Sequence, residues 1–386
     1  MAAKTNHEIR TVGIVDFART PISKSKGGKL NDMAPIEFTT QVVQKLLARN
    51  PKVPVDQIEH LVCGCAFPEA EQGMNVARQI VVKVGLPEHV AASTVNQFCG
   101  SSQQAVMMLA DAIAVGKGDI GIAVGMEHMT RVAMGGFNPF FDKELKDKEY
   151  YMGMGLTAEK LAKEGKISRD EQEAFAVDSH KKALKAWKDG AFEREVVPVT
   201  LPDGSTFTQD ECPMEPNLEK MKTLKPAFDA KGTITAATAS PVSTGAAAII
   251  LMSEEMAKKL GLKLRVKIVT TAAAGCDWTR MGMGPIPASK KALERAGLKD
   301  SEIDIFEINE AFAAQSIYCL KKLGWDTKKV NILGGAVALG HPLGMSGARI
   351  IGTAITALEK VKGKYALATM CVGGGQGVTT ILERGE

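Results

Sequence analysis

Short apolar runs alternate with longer segments of helical spacing along most of the chain. Thr11-Val12-Gly13-Ile14-Val15 predicts a buried strand, and Pro35 to Leu47 has the apolar spacing of an amphipathic helix. Ile58 to Cys63 is strand-like again, with Cys63-Gly64-Cys65 at its buried end. Met74 to Val84 is helical until Gly85-Leu86-Pro87 stops it. Ser93 to Asn96 leads into a turn at Cys99, and a helix follows. Asp119 to Val124, apolar between Gly118 and Gly125, predicts a further strand. This alternation predicts an α/β fold built on a mainly buried sheet.

From Glu127 to about Phe228 the alternation breaks. A methionine- and glycine-rich segment reaches Gly136, and Met152-Gly153-Met154-Gly155 follows. Then come a charged helical run from Glu159 to Lys188, a proline-bearing section and a turn at Pro202-Asp203-Gly204. This predicts an insertion lying over the core, and long insertions at strand ends commonly carry binding surfaces. The methionines suit adaptable packing, which is compatible with lining a substrate. After Thr233 the α/β pattern restarts. Strands are expected from Leu264 to Ala272, Ile303 to Ile308 and Tyr365 to Met370. Helices are expected from Ala288 to Ala296, Ala311 to Leu323 and Gly347 to Val361.

Two correspondences predict an internal repeat. Val55 to Val62 resembles Lys299 to Phe306. The turn, helix and strand from Asn96 to Gly125 resemble the unit from Asn331 through the Gly344 turn to Cys371. Each half would then be a copy of one motif, with equivalent strand ends at a shared cleft.

Composition narrows the class only a little. At 386 residues, 45% apolar and 24% charged, the chain is an ordinary globular protein long enough for two domains or one duplicated one. A net charge of +4 with no long basic block, and only 5% aromatics, argue against a nucleic-acid surface. The seven cysteines are scattered without a CxxC pair, so neither a disulfide framework nor a zinc site is expected. Met1 to Glu8 has no apolar signal core, and no apolar run reaches the roughly 18 residues a membrane span needs. A reducing compartment, most simply the cytoplasm, is expected.

Four motifs carry chemistry. The first is Val95-Asn96-Gln97-Phe98-Cys99-Gly100-Ser101-Ser102. It puts a cysteine at the start of a helix, where the dipole favours thiolate and free N–H groups can bind an oxyanion. The alternative for Cys99 is a small buried hydrophobe. The second is Leu339-Gly340-His341-Pro342-Leu343-Gly344. Its histidine could take the Cys99 proton or simply cap a loop. The third, Cys371-Val372-Gly373-Gly374-Gly375-Gln376-Gly377, follows a strand, and the apolar Val378 to Leu382 beyond it argues against a terminal linker. In the fourth, Glu307-Ile308-Asn309-Glu310-Ala311-Phe312, Asn309 could orient a water or carbonyl, or serve as a helix N-cap. Two cysteines and a histidine suit a reaction that breaks a carbon–carbon bond, protonates the carbon leaving group and then activates a thiol.

These segments resemble the thiolase family over nearly the whole chain. Also matching are Glu127-His128-Met129, Met154 to Glu159, Ala236 to Ala248, Gly275-Cys276-Asp277 and Met283-Gly284-Pro285. The Glu-His-Met and Gly-Cys-Asp segments are most similar to the degradative 3-ketoacyl-CoA thiolases of fatty acid β-oxidation. The resemblance implies a duplicated five-layered α/β fold, two stacked mixed sheets with helices between and outside. It implies an N-terminal half at 1–126, a loop domain over the active site at 127–232, and a C-terminal half at 233–386. It implies that Cys99 takes the acyl group and that His341 deprotonates it. Cys371 would protonate the acetyl-CoA enolate and then deprotonate CoA. Asn309 would hold a water of one oxyanion hole, and the N–H groups of Cys99 and Gly373 would form the other. Ala236, Ser240, Met154 and Phe312 would line the substrate and CoA channel. CoA is implied as co-substrate, with no permanently bound cofactor and no metal. Also implied are a homodimer or higher oligomer, and association with a β-oxidation hydratase/dehydrogenase subunit.

The sequence departs from the family pattern at three places. Cys212 to Asn217 lacks a basic residue near the CoA nucleotide, leaving Lys220 or Lys222 for the phosphates. Gln103 stands where an apolar residue is usual, and Thr244 replaces a common aspartate. Rival readings are acetoacetyl-CoA condensation by the same chemistry, a non-catalytic CoA or lipid binder, and a cysteine hydrolase.

Overall fold

The computed structural model describes residues 9–385, so Met1 to Glu8, where no signal-like core is expected, lie outside the described residues. The strands are β1 (Val12–Arg19), β2 (Ile58–Gly64), β3 (Ala91–Val95), β4 (Ile120–His128), β5 (Ser243–Ser253), β6 (Val266–Gly275), β7 (Ile305–Ile308), β8 (Tyr365–Val372) and β9 (Gln376–Arg384). The principal helices are α1 (Pro35–Arg49), α2 (Val76–Val84), α3 (Ser101–Ala114), α4 (Met154–Glu164), α5 (Arg169–Lys188), α6 (Pro285–Ala296), α7 (Ala313–Leu323) and α8 (Leu343–Val361). Most expected elements are found, with ends moved by a few residues. Among the described residues no helix is long and apolar enough to cross a membrane.

The strands follow the order β7-β8-β9-β6-β1-β5-β4-β2-β3. The repeat is visible in it. In the first half β2 lies parallel to β4, β4 antiparallel to β5, and β5 antiparallel to β1, so β5 belongs with the first half although it follows the expected boundary at 233. In the second half β7 lies parallel to β8, β8 antiparallel to β9, and β9 antiparallel to β6. β3 runs parallel to β2 at one edge, and at the other a lone parallel bridge, Phe306 to Val330, stands in its place. The halves are joined through β1 and β6 by only Gly13 opposite Lys267 and Ile14 opposite Val266. The expected stacked sheets are thus linked at a narrow seam.

Helices α3 and α8 pack on each other between the halves. Glycines let α3 sit close to β2 on one side and to α8 on the other. A Cβ on Gly64 would lie 2.2 Å from the Ser102 backbone nitrogen, and one on Gly347 would lie 2.3 Å from that of Gln103. The Ala348 N–H donates to Ser102 Oγ at 2.8 Å. Gln103, polar where an apolar residue is usual, reaches across and donates to Ala368 O (3.1 Å) and Thr380 Oγ1 (2.9 Å).

Two expectations need correction. The charged run from Glu159 to Lys188 is two helices, not one. Lys166 has φ 48°, and Ser168 starts α5 with a capping box, its Oγ accepting from Glu171 N and its N–H donating to Glu171 Oε2. The strand β5 was not anticipated. Ser243-Thr244-Gly245-Ala246-Ala247-Ala248 has no strand-like alternation, because β5 is buried on both faces against layers that leave room only for small side chains.

Candidate active site

Cys99 lies just before α3, in a turn that holds Phe98 at φ 44°, uncommon for a residue with a side chain. Ser101 fixes the turn: its Oγ donates to Phe98 O (2.5 Å) and accepts from Gln97 N (2.9 Å). Cys99 is 8% exposed, and the backbone N–H groups of Gly373 and of Cys99 itself favour a charge on its sulfur. The helix start was expected to favour thiolate. Instead burial dominates and pushes the thiol up to about 12, with the two N–H donors opposing it only in part.

Cys371 ends β8, opposite Gly377 of β9, and is fully buried. Burial first, and the nearby Cys99 charge second, keep its thiol protonated. Its loop turns through Gly374 and Gly375, both at φ +76°, a conformation suited to glycine. The two cysteine loops touch: a Cβ on Gly373 would meet the Phe98 ring at 3.0 Å, and one on Gly100 would meet Val372 at 2.8 Å.

His341 lies just before α8, 5% exposed. Its N–H donates to Ser243 Oγ (2.8 Å), and Nδ1 is 2.5 Å from Ser346 Oγ. The Ser346 hydroxyl donates its single proton to Pro342 O (2.8 Å), so the oxygen accepts from Nδ1–H and the lone pair is left on Nε2. Burial, reinforced by the Arg349 charge, pushes the imidazole down to about 3, which keeps it neutral and available as a base.

Asn309 is no helix cap, since α7 starts later with Phe312 at its N-cap position. Its backbone N–H donates to Thr369 O of β8 (3.0 Å), and its amide Nδ2 lies 3.3 Å from His341 Nε2. Arg349 Nη2 donates weakly to its Oδ1 (3.4 Å) while Nη1 pairs with Glu307 (3.0 Å), which orients the amide. Ser243, Ser346 and Arg349 were not singled out from the sequence. Arg349 carried a readable signal, the one charge in α8 ahead of Glu359 and Lys360 in its last turn.

The other named residues divide into two groups. Met154, Phe312, Ala239 and Ala311 join Cys371 in one apolar cluster. Phe228 packs edge-on to Phe312 (5.5 Å), and Ser240 N donates to Ala311 O (3.0 Å). Ala236 is exposed nearby in sequence, and Lys220 sits apart on an exposed short helix, Leu218–Lys222. Tyr150 and Trp278 stand against Gly374 and Gly375, so the insertion reaches the Cys371 loop.

Comparison with known proteins agrees with this geometry. Residues 12–255 match the thiolase N-terminal domain and residues 262–384 the thiolase C-terminal domain. The chain belongs to the thiolase family. It is 46% identical to the 3-ketoacyl-CoA thiolase of Aliivibrio fischeri over 97% of this chain and 100% of that protein. It is also 46% identical to that of Alcanivorax borkumensis, over 97% and 98%. Human mitochondrial 3-ketoacyl-CoA thiolase superposes with a TM-score of 0.90 at 34% identity, covering 98% of this chain and 99% of that one. The Bacillus anthracis acetyl-CoA acetyltransferase gives the same TM-score and identity over 98% and 100%.

Proposed function

We propose that Cys99, His341, Asn309, Cys371 and Gly373 carry out the reaction of this enzyme. The chain is an acyltransferase that cleaves 3-ketoacyl-CoA with CoA, giving acetyl-CoA and a shortened acyl-CoA. CoA is the co-substrate. His341 Nε2 takes the Cys99 proton, and the sulfur attacks the 3-keto carbon. The bond between C2 and C3 breaks, leaving an acyl thioester on Cys99, and Cys371 protonates the departing acetyl-CoA enolate. Cys371 then takes the proton of incoming CoA, whose sulfur attacks the thioester and restores the Cys99 thiol. The N–H groups of Cys99 and Gly373 hold one oxyanion, and His341 with a water on Asn309 holds the other.

The observation that carries this reading is that Cys99 and Cys371 lie close enough for their charges to act on each other, with the Gly373 N–H on the Cys99 sulfur. A thiol held protonated by burial needs the neutral imidazole, which the site supplies. Residues 127–232 form the loop domain over this site in our reading, with Met154, Ser240, Ala236 and Phe312 along the CoA and acyl channel and Lys220 at the CoA phosphates. The enzyme acts in the cytoplasm as a homodimer or higher oligomer. The half-exposed edge strand β3 and the exposed Met74 beside it support such pairing. A hydratase/dehydrogenase subunit making the 3-keto substrate is its expected partner.

Steady-state thiolysis across a 3-ketoacyl-CoA chain-length series, with CoA varied, tests the reading. Parallel double-reciprocal lines are expected, with activity beyond the four-carbon substrate. In Cys99→Ala, turnover should fall by roughly 10⁴-fold or more, and labelling by acetyl-CoA should vanish. Retained turnover removes Cys99 from the nucleophile role, and activity confined to acetoacetyl-CoA favours the condensation enzyme.

A further inference from the structure

The segment carrying His341 is held by two buried carboxylates to which the reaction assigns no task. Glu127, at the end of β4, is fully buried, and its Oε2 accepts from Gly344 N (2.9 Å) and Ala66 N (2.8 Å). Its Oε1 accepts from Gln72 Nε2 (2.7 Å) and more distantly from Phe67 N (3.4 Å). Glu310, beyond β7, is 2% exposed, and its Oε2 accepts from Val337 N (3.1 Å) and Ser179 Oγ (2.6 Å). Its Oε1 accepts from Asn331 Nδ2 (2.8 Å).

Gly344 and Val337 each lie in the first turn of a helix, α8 and the short helix Ala336–Leu339. Each carboxylate therefore serves as a cap supplied from elsewhere in the chain. His341 stands between the two capped amides. The corner between them is Gly340 at φ +104°, and the third anchor is the bond from His341 N to Ser243 Oγ. The fit is tight: a Cβ on Gly344 would lie 2.9 Å from Glu127 Oε2, and one on Gly335 would lie 2.2 Å from Glu310 Cδ.

A neutral side chain would satisfy a capped amide. A carboxylate makes the stronger, shorter bond and so fixes the segment more firmly. The two carboxylates also come from opposite halves of the molecule. Glu127, though numbered at the start of the expected loop domain, still lies in β4 of the half that carries Cys99, and Glu310 lies in the half that carries His341. We propose that Glu127 and Glu310 are positioning residues that clamp both ends of the His341 segment and so set the imidazole relative to Cys99. This rests on the reading of His341 as the base.

The test uses the full-length enzyme with Glu127→Gln, Glu310→Gln and the milder Ser179→Ala, which takes one hydrogen bond from Glu310 and the acceptor of Gly335 N and leaves the carboxylate in place. Rates are expressed per Cys99 site titrated by acyl-CoA. A base displaced by a fraction of an ångström should lower kcat by about 10- to 100-fold for the two glutamine variants, with KM for both substrates within about twofold of the parent. Alkylation of Cys99 by iodoacetamide should slow in parallel, and Ser179→Ala should show a smaller change in the same sense. A purely structural role would reduce the titratable sites or the melting temperature and leave kcat per site unchanged. That outcome, or glutamine variants too unstable to titrate together with a Ser179→Ala enzyme of unchanged kcat, overturns the proposal. The reading beneath it fails separately, if Cys99→Ala stays active or His341→Ala keeps its alkylation rate.

Discussion

The two halves of this molecule use one motif for different chemistry. Each sends a chain segment into a central helix, α3 in the first and α8 in the second, and the helices pack side by side. The residue just ahead of α3 is a thiol in a strained turn, Phe98-Cys99-Gly100. The residue just ahead of α8 is an imidazole with both flanks hydrogen-bonded, His341. The strand after α3 ends in Glu127, a hydrogen-bond acceptor for the other half, and the strand after α8 ends in Cys371 and an N–H-rich glycine loop. The comparison teaches how a duplicated fold divides labour. Neither half holds a working set, and the geometry that matters lies across the seam between them.

The sharpest way to break the comparison is to remove the proposed base opposite the proposed nucleophile. His341→Ala should slow acylation of Cys99 by about 10²- to 10⁴-fold, the usual range for a general base, measured by single-turnover labelling with acetyl-CoA. Unchanged alkylation by iodoacetamide would show that the thiol ionises without it.

Next in size is the seating of α3, which a glycine in each half allows, Gly64 at the end of β2 and Gly347 on α8. Gly64→Ala and Gly347→Ala push a methyl group within 2.2 and 2.3 Å of the α3 backbone. Backbone cannot rotate away as a side chain can, so each variant should lose about 1–3 kcal/mol in urea denaturation. A loss in only one would mean that the halves do not share the interface equally.

The smallest effect, over any single pH unit, is a pH dependence found in the second half. The imidazole of His341 is held at about 3, against 6.5 ordinarily, so between those values the unfolded chain binds a proton that the folded chain refuses. Stability should therefore fall on acidification, with this residue contributing about 1.4 kcal/mol per pH unit below 6.5. The comparison to make is with His341→Asn, whose unfolding free energy should lack that slope. Glu307, raised to about 8 by burial, opposes it in the parent and remains in the variant, so the difference isolates the histidine.

Much of this was legible along the chain. Turn chemistry made Cys99, His341 and Cys371 candidates, with a buried hydrophobe or a loop cap still open for the first two, and the resemblance to a family gave them their expected roles. The repeat was legible in two matched stretches, and the pairing of β2 with β4 and of β7 with β8 reproduces it. What escaped was β5, whose small residues follow from burial on both faces, and Ser346 and Arg349, whose value lies in touching groups distant in sequence or across a helix turn.

The division has a physical cause. Local backbone preference and side-chain periodicity are properties of neighbouring residues, so the sequence alone determined most of the element order, and its motifs, by resemblance, the family and three candidate reactive side chains. Protonation state depends on what surrounds a group in space. Only the folded structure decided that Cys99 rests as a thiol, that His341 is neutral with its lone pair on Nε2, and that Glu127 reaches the helix start of the opposite half. For Cys99, dehydration outweighed both the helix-start preference that the linear order suggested and the nearby N–H of Gly373.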